Sequence, residues 1–208
     1  MPAFRLAVLI SGTGSNLQAL LDTVHDPDGP MAIVGVGSSR GGAPGLQRAE
    51  RAGVETAVFA IGDHPDRAAR DRALGDWLER LEVDLVVLAG FMELLGPAFI
   101  RRFTGRIVNV HPSLLPAFPG VDAIGQALEH GVKLTGVTVH FVDEGVDSGA
   151  IILQEALELP YPAAIEEIQQ RVHRVEHRLL PRAVRLIAAG RVRLDPDNPR
   201  RVLVDDVD

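Results

Sequence analysis

The chain contains no cysteine. That excludes a disulfide scaffold, thiolate metal sites and a cysteine nucleophile, and it is compatible with a cytoplasmic setting. No apolar run exceeds strand length, so no membrane-spanning helix and no membrane partner are expected. Excess positive charge is missing too. The 208 residues carry a formal net charge of −7, which argues against a general nucleic-acid surface and leaves room only for a local basic pocket. The N-terminus, Met1-Pro2-Ala3-Phe4-Arg5, leads into an apolar strand pattern without the layout of a signal peptide. Internal repeats and linkers are also absent.

What is present is an alternation. Hydrophobic content of 46% and charged content of 24% suit a soluble α/β domain with a real core. Strands are expected over Phe4 to Ile10, Met31 to Gly37, Glu55 to Phe59, Asp84 to Ala89, Arg106 to Val110, Leu134 to Val142 and Ala150 to Glu155. Helices are expected over Ser15 to Val24, Ala43 to Ala52, Pro65 to Leu81, Pro97 to Phe103, Asp122 to His130 and Ala164 to Ala189. Pro65 suits a first helical turn, and Pro181 is expected to kink or interrupt the last helix. That helix carries an apolar stripe, Ile165, Ile168, Val172, Val175 and Leu179. The order implies a doubly wound, mostly parallel sheet with ligands at the strands' C-terminal ends. The expected organisation is a single domain over 1–190 and a polar, proline-containing tail over 191–208 without assigned structure.

Asn109-Val110-His111-Pro112-Ser113-Leu114-Leu115-Pro116 is the most informative segment. Residues two apart on a strand share a side, so Asn109 and His111 project together, and Pro112 turns the chain into a loop. An amide donor beside an imidazole suits a reaction with a developing oxyanion. Asp147, in Asp143-Glu144-Gly145-Val146-Asp147-Ser148-Gly149, is placed to set the charge of that imidazole. The bland alternative is that Asp147 caps its own turn. Ser113 has no base at useful spacing and lies in no nucleophile elbow, so it reads as a turn residue.

Ser11-Gly12-Thr13-Gly14-Ser15-Asn16-Leu17 joins the first strand to the first helix. Its glycines let backbone amides approach a phosphate, helped by the field of the helix N-terminus. Leu17 occupies the third glycine position of the dinucleotide fingerprint, and no Gly-Lys-Ser/Thr follows, so a small phosphate monoester fits better than NAD or a Walker nucleotide. A tight turn with Ser15 or Asn16 as N-cap is the alternative. Phe91, Met92, Leu94 and Leu95 follow an apolar strand. They either pack as core or line a slot for a flat heteroaromatic ring. His173-Arg174-Val175-Glu176-His177 matches a zinc pattern, but no Glu occurs after Glu176 to complete it, so no metal is expected. Glu176 remains available to hydrogen-bond a sugar hydroxyl.

Taken together, Ile10 to Gln18, Val87 to Met92, Asn109 to Pro116, Gly136 to Val142 and Asp147 to Gly149 make the chain resemble the glycinamide ribonucleotide formyltransferases, the folate-dependent enzymes of purine synthesis. The resemblance runs from about Leu6 to about Pro181. It implies a Rossmann-like formyltransferase fold, with Asn109, His111 and Asp147 as the catalytic trio. Gly14, Ser15 and Asn16 match the phosphate-binding turn and Glu176 the ribose contact. Arg67, Met92, Glu93, Leu94, Leu95 and Asn109 match the folate site. Glu93 stands where Arg is frequent, and Asp122 where His is frequent. The implied co-substrate is 10-formyltetrahydrofolate, the implied partners are small molecules, and a monomer or homodimer is expected. A formyltetrahydrofolate hydrolase using the same trio is the nearest alternative; such relatives usually carry an extra N-terminal regulatory domain. A formyltransferase acting on initiator tRNA would need a C-terminal domain and a basic surface. A non-catalytic phosphate-binding module would leave the trio without a role.

Overall fold

A computed structural model describes residues 4–205. The chain divides into two compact units, one up to Val108 and one from Asn109 onward. In the first, strands β1 (Phe4–Ile10), β2 (Met31–Ser38), β3 (Glu55–Val58) and β4 (Leu85–Leu88) alternate with helices α1 (Ser15–Thr23), α2 (Pro44–Arg51), α3 (Arg67–Arg80) and α4 (Pro97–Arg102). The strands lie in the order β3-β2-β1-β4, and β1 pairs in parallel with both β2 and β4. Leu6 to Ile10 have no solvent exposure at all, which is why β1 is continuously apolar instead of alternating.

This order matters for function. The chain winds from β1 outward to β3, then returns to place β4 on the other side of β1. The direction of winding reverses between β1 and β4, and ligands of such sheets bind beyond the C-terminal ends of the two strands at that point. Here those ends lead into Ser11–Gly14 and Ala89–Gly96. The two loops are knitted together: the Ser11 amide donates to the Gly90 carbonyl at 3.0 Å, and the Met92 amide to Ser11 Oγ at 2.8 Å.

β5 (Ile107–His111) leads into the second unit, followed by α5 (Ala123–Glu129), β6 (Leu134–Phe141), β7 (Ile151–Glu158), α6 (Ile165–Ala188), β8 (Val192–Asp195) and β9 (Asn198–Val204). β6 and β7 are antiparallel, Leu134 facing Glu158 and His140 facing Ile151, with a shift of register between Val139 and His140. Four of the five residues of the expected apolar stripe of α6 are buried, Ile168, Val172, Val175 and Leu179 at 0–3% exposure, while Ile165 at the start of the helix is only half-buried.

Several expectations need correction. Pro65 does not open α3; Asp66 is the N-cap, its carboxylate accepting the Ala69 amide at 2.7 Å, and Pro65 precedes it. α6 runs through Pro181 without a break. Proline's missing N–H costs one turn its hydrogen bond, but Leu179, Leu180, Pro181, Ala183 and Val184 are all buried, and that packing holds the helix. β5 extends through His111, and β7 runs to Glu158 instead of Glu155. The tail is not featureless. β8 and β9 form an antiparallel hairpin, and β9 pairs with β7 at Ile151 and Arg201.

Candidate active site

The second unit gathers a compact polar cluster. β5 delivers Asn109 and His111 two residues apart, and β6 delivers His140 at its C-terminal end. Asp147 comes from the loop joining β6 to β7, where its φ is 49°, the left-handed region that Asp tolerates better than most residues. One carboxylate oxygen of Asp147 accepts the Gly120 amide at 2.7 Å and lies 3.4 Å from His111 Nδ1. The other lies 3.4 Å from Asn109 Nδ2 and 3.6 Å from His140 Nε2. Asn109 Nδ2 is also 3.3 Å from His140 Nε2.

These contacts constrain the protons. His111 Nε2 is 2.8 Å from the Phe118 carbonyl, which can only accept, so Nε2 carries hydrogen. Its Nδ1 faces a carboxylate. Both ring nitrogens therefore meet acceptors, a setting that the doubly protonated ring satisfies. His140 Nδ1 is 2.8 Å from the Phe141 carbonyl and must also donate. Burial would raise the Asp147 pKa. The hydrogen bond with His140, the Gly120 amide and the charges of His111 and His140 outweigh it and hold the carboxyl below its ordinary range.

The loop between β5 and α5 is part of this construction, since it supplies the Phe118 carbonyl and the Gly120 amide. Thr138, buried on β6, pins it. Its hydroxyl donates to the Ser113 carbonyl at 2.7 Å and accepts the Leu115 amide at 3.1 Å. Gln154 Nε2 adds bonds of 2.9 Å to the Leu115 carbonyl and to Thr138 Oγ1. Ser113, buried, donates to the Ala117 carbonyl at 2.5 Å, as suits a turn residue. Asp122, at φ 55°, caps α5 by accepting the Gly125 amide at 3.2 Å.

The remaining candidates fall in two places. In the first unit, Gly14 is the N-cap of α1 at φ 71°, and no side chain caps that helix. Neither Ser15 nor Asn16 takes the capping place; they are the first residues of the helix proper. A Cβ on Gly14 would sit 2.7 Å from Gly45 Cα, so glycine is required both by the backbone and by the approach of α2. Arg67 is exposed at the start of α3. Met92 and Leu94 are 68% and 58% exposed, so they are displayed, not core, while Phe91, Glu93 and Leu95 are half-buried. In the second unit, Glu176 is buried on α6. Beside it His177, stacked on His173 with centroids 6.2 Å apart, has its pKa lowered, chiefly by burial.

Sequence reasoning missed His140, the Gly120 amide and the Phe118 carbonyl. His140 was within reach, because Thr138 and His140 lie two apart on a strand ending where Asn109 and His111 end. Main-chain groups carry no signal of their own.

A mostly parallel α/β protein with loops at a reversal of winding and an amide–imidazole–carboxylate cluster has the layout of an enzyme. The comparisons make this specific. The family model described as formyl transferase matches residues 4–184, and the chain belongs to that family. It is 43% identical over 190 residues to the phosphoribosylglycinamide formyltransferase of Haemophilus influenzae, covering 91% of this chain and 90% of that one. It is 48% identical to the trifunctional purine biosynthetic protein adenosine-3 of Bos taurus over 91% of this chain, which spans only 19% of the bovine protein's length. The crystal structure of glycinamide ribonucleotide transformylase 1 from Symbiobacterium toebii superposes with a TM-score of 0.92 at 47% identity, over 98% of this chain and 94% of that one.

Proposed function

We propose that this enzyme transfers the formyl group of 10-formyltetrahydrofolate to the primary amine of glycinamide ribonucleotide. The observation that carries the reading is one carboxylate, Asp147, held 3.4 Å from both the His111 imidazole and the Asn109 amide. Among the described residues no side chain is set up as a nucleophile, which agrees with direct attack by the amine on the formyl carbon. Asn109 Nδ2 exchanges its long 3.4 Å contact to Asp147 for the oxygen as that oxygen gains charge. For His111 to donate as well, its ring must release one of its two contacts, and the longer is the one to Asp147. Charge-assisted donors of this kind are worth about 2.7–4 kcal/mol each in the transition state. Asp147, ionised at neutral pH, balances the imidazolium and accepts the proton that the attacking amine sheds. Collapse of the tetrahedral adduct breaks the bond to N10 of the folate, which takes up a proton to leave as tetrahydrofolate.

The remaining roles follow the same reading. The backbone amides of Gly14 to Asn16 receive the phosphate, and Glu176 takes a ribose hydroxyl. Arg67, Met92 to Leu95 and Asn109 hold the folate, and no metal takes part. The working form is a monomer or homodimer, acting in the cytoplasm. The test is incubation with 10-formyltetrahydrofolate, with and without glycinamide ribonucleotide. Release of tetrahydrofolate only with the amine is the expected result. Release without it would instead make the protein a formyltetrahydrofolate hydrolase.

A further inference from the structure

Among the described residues, the largest fully buried side chain is Arg70, on α3. Its guanidinium pairs with the neighbouring Asp71, at 2.7 Å from Nε. Both side chains are buried, at 0% and 7% exposure. A buried ion pair is seldom a gain in stability over apolar packing of the same volume. Arg70 is costlier than most, because among the described residues its Nη1 is buried with no hydrogen-bond partner. Something other than core stability is the natural reason to keep it.

The pair reaches into one loop. Arg70 Nη2 donates to the Leu94 carbonyl at 2.8 Å, and its guanidinium stands 5.8 Å from the centroid of the Phe91 ring. The second oxygen of Asp71 accepts the Gly96 amide at 2.7 Å. The near end of the same loop is tied to Ser11 through Gly90 and Met92, as described above. The main chain is thus gripped at positions 90, 92, 94 and 96 while the side chains of Met92 and Leu94 stand exposed. Asp71 and Gly96 also belong to the wall of a cavity of about 490 Å³ that Arg67 helps to line. That volume is within the range of small-molecule sites.

We propose that Arg70 and Asp71 are positioning residues for the formyl donor: they hold the Phe91–Gly96 main chain in the shape that receives a flat heteroaromatic ring. The inference rests on the reading of Met92 to Leu95 as folate contacts. Arg70 does the larger share, because its planar fork bonds Asp71 and Leu94 at once, which a lysine ammonium at that place cannot reproduce.

The test titrates the full chain with tetrahydrofolate by calorimetry and follows steady-state rates with both substrates varied, for wild type, Arg70→Lys and Asp71→Asn. For Arg70→Lys the expected result is a tenfold or greater rise in tetrahydrofolate Kd and in KM for the formyl donor. The KM for glycinamide ribonucleotide, and kcat at saturating donor, should stay within about twofold. Asp71→Asn keeps an acceptor for the Gly96 amide and should show a smaller rise in the same constants. A lower Tm with unchanged tetrahydrofolate Kd in both variants would make the pair merely structural and overturn the proposal. Failure of both variants to fold would overturn it too, by making the pair a requirement of the fold. Wild type that binds no tetrahydrofolate would instead remove the folate reading itself.

Discussion

The loops at the β1/β4 reversal and the cluster around Asp147 are built from opposite materials. The first presents glycine, backbone amides and exposed apolar side chains on a base of hydrogen-bonded main chain. The second is almost wholly titratable or amide side chains: His111, His140 and Asp147 are each held by a main-chain group, and Asn109 by the side chains of Asp147 and His140. Backbone and apolar surface recognise shape and phosphate without changing protonation state. Imidazole and carboxylate can exchange protons but need neighbours to fix which atoms carry them. On the proposed reading, binding and chemistry therefore draw on different parts of the sequence, and substitutions in the two regions should fail in different ways.

The sharpest break concerns Asp147→Asn. Size and turn preference are kept, so folding should survive, while kcat falls on the order of 10²–10³-fold with modest change in KM. Near-normal turnover would reduce Asp147 to a turn residue. The same variant carries a pH signature. The folded-state pKa of Asp147 lies below its unfolded value, so the ionised carboxyl adds stability above the unfolded pKa. That stability is lost as pH falls through the folded value. Acid titration of unfolding should therefore show a shallower loss below about pH 4 in the Asn variant than in wild type.

Removing the amide donor, with Asn109→Ala, should cost about 2.7–4 kcal/mol of transition-state stabilisation, read as a fall in kcat at saturating substrates. An equal rise in both KM values with unchanged kcat would move Asn109 from chemistry to binding. In the binding region, Gly14→Ala places a side chain at φ 71° and against Gly45. About 1–2 kcal/mol of stability should go from the backbone alone, measured by urea unfolding, together with a raised KM for the phosphorylated substrate. Unchanged stability would mean that α1 and α2 can shift apart freely. The smallest effect is expected for Leu94→Ser. Because Leu94 is 58% exposed, unfolding free energy should move by less than about 0.5 kcal/mol. The KM for the formyl donor should rise up to about tenfold. A large stability loss there would show that the loop is core after all.

Element by element, legibility followed burial. β1 and β4 announce themselves because strands covered on both faces are continuously apolar, and α6 because its stripe repeats at helical spacing. The tail hairpin gave no such sign: β8 and β9 are half-exposed, and Arg193, Arg200 and Arg201 interrupt any apolar pattern. Pro181 misled because local propensity argues for a break, and only the packing around it shows why there is none. In the candidate site, side chains on strands could be paired by counting. Asp147 could be named from its loop but not placed, since the path of an irregular segment is set by tertiary contacts. The Gly120 amide and Phe118 carbonyl belong to a loop held by Thr138 and Gln154 from two other strands, a connection no local window contains.

The left-handed backbone at Asp147 has a consequence for how this position can vary. Two filters act there at once. The conformation disfavours branched and bulky residues and admits little beyond glycine, asparagine and aspartate. The proposed chemistry then rejects the two of these that cannot ionise. Glutamate would supply the charge, but on a longer arm and from a backbone it adopts less readily. Mutational drift at this codon therefore has almost nowhere to go, and a gene library randomised at position 147 and selected for growth without purines should return aspartate nearly alone.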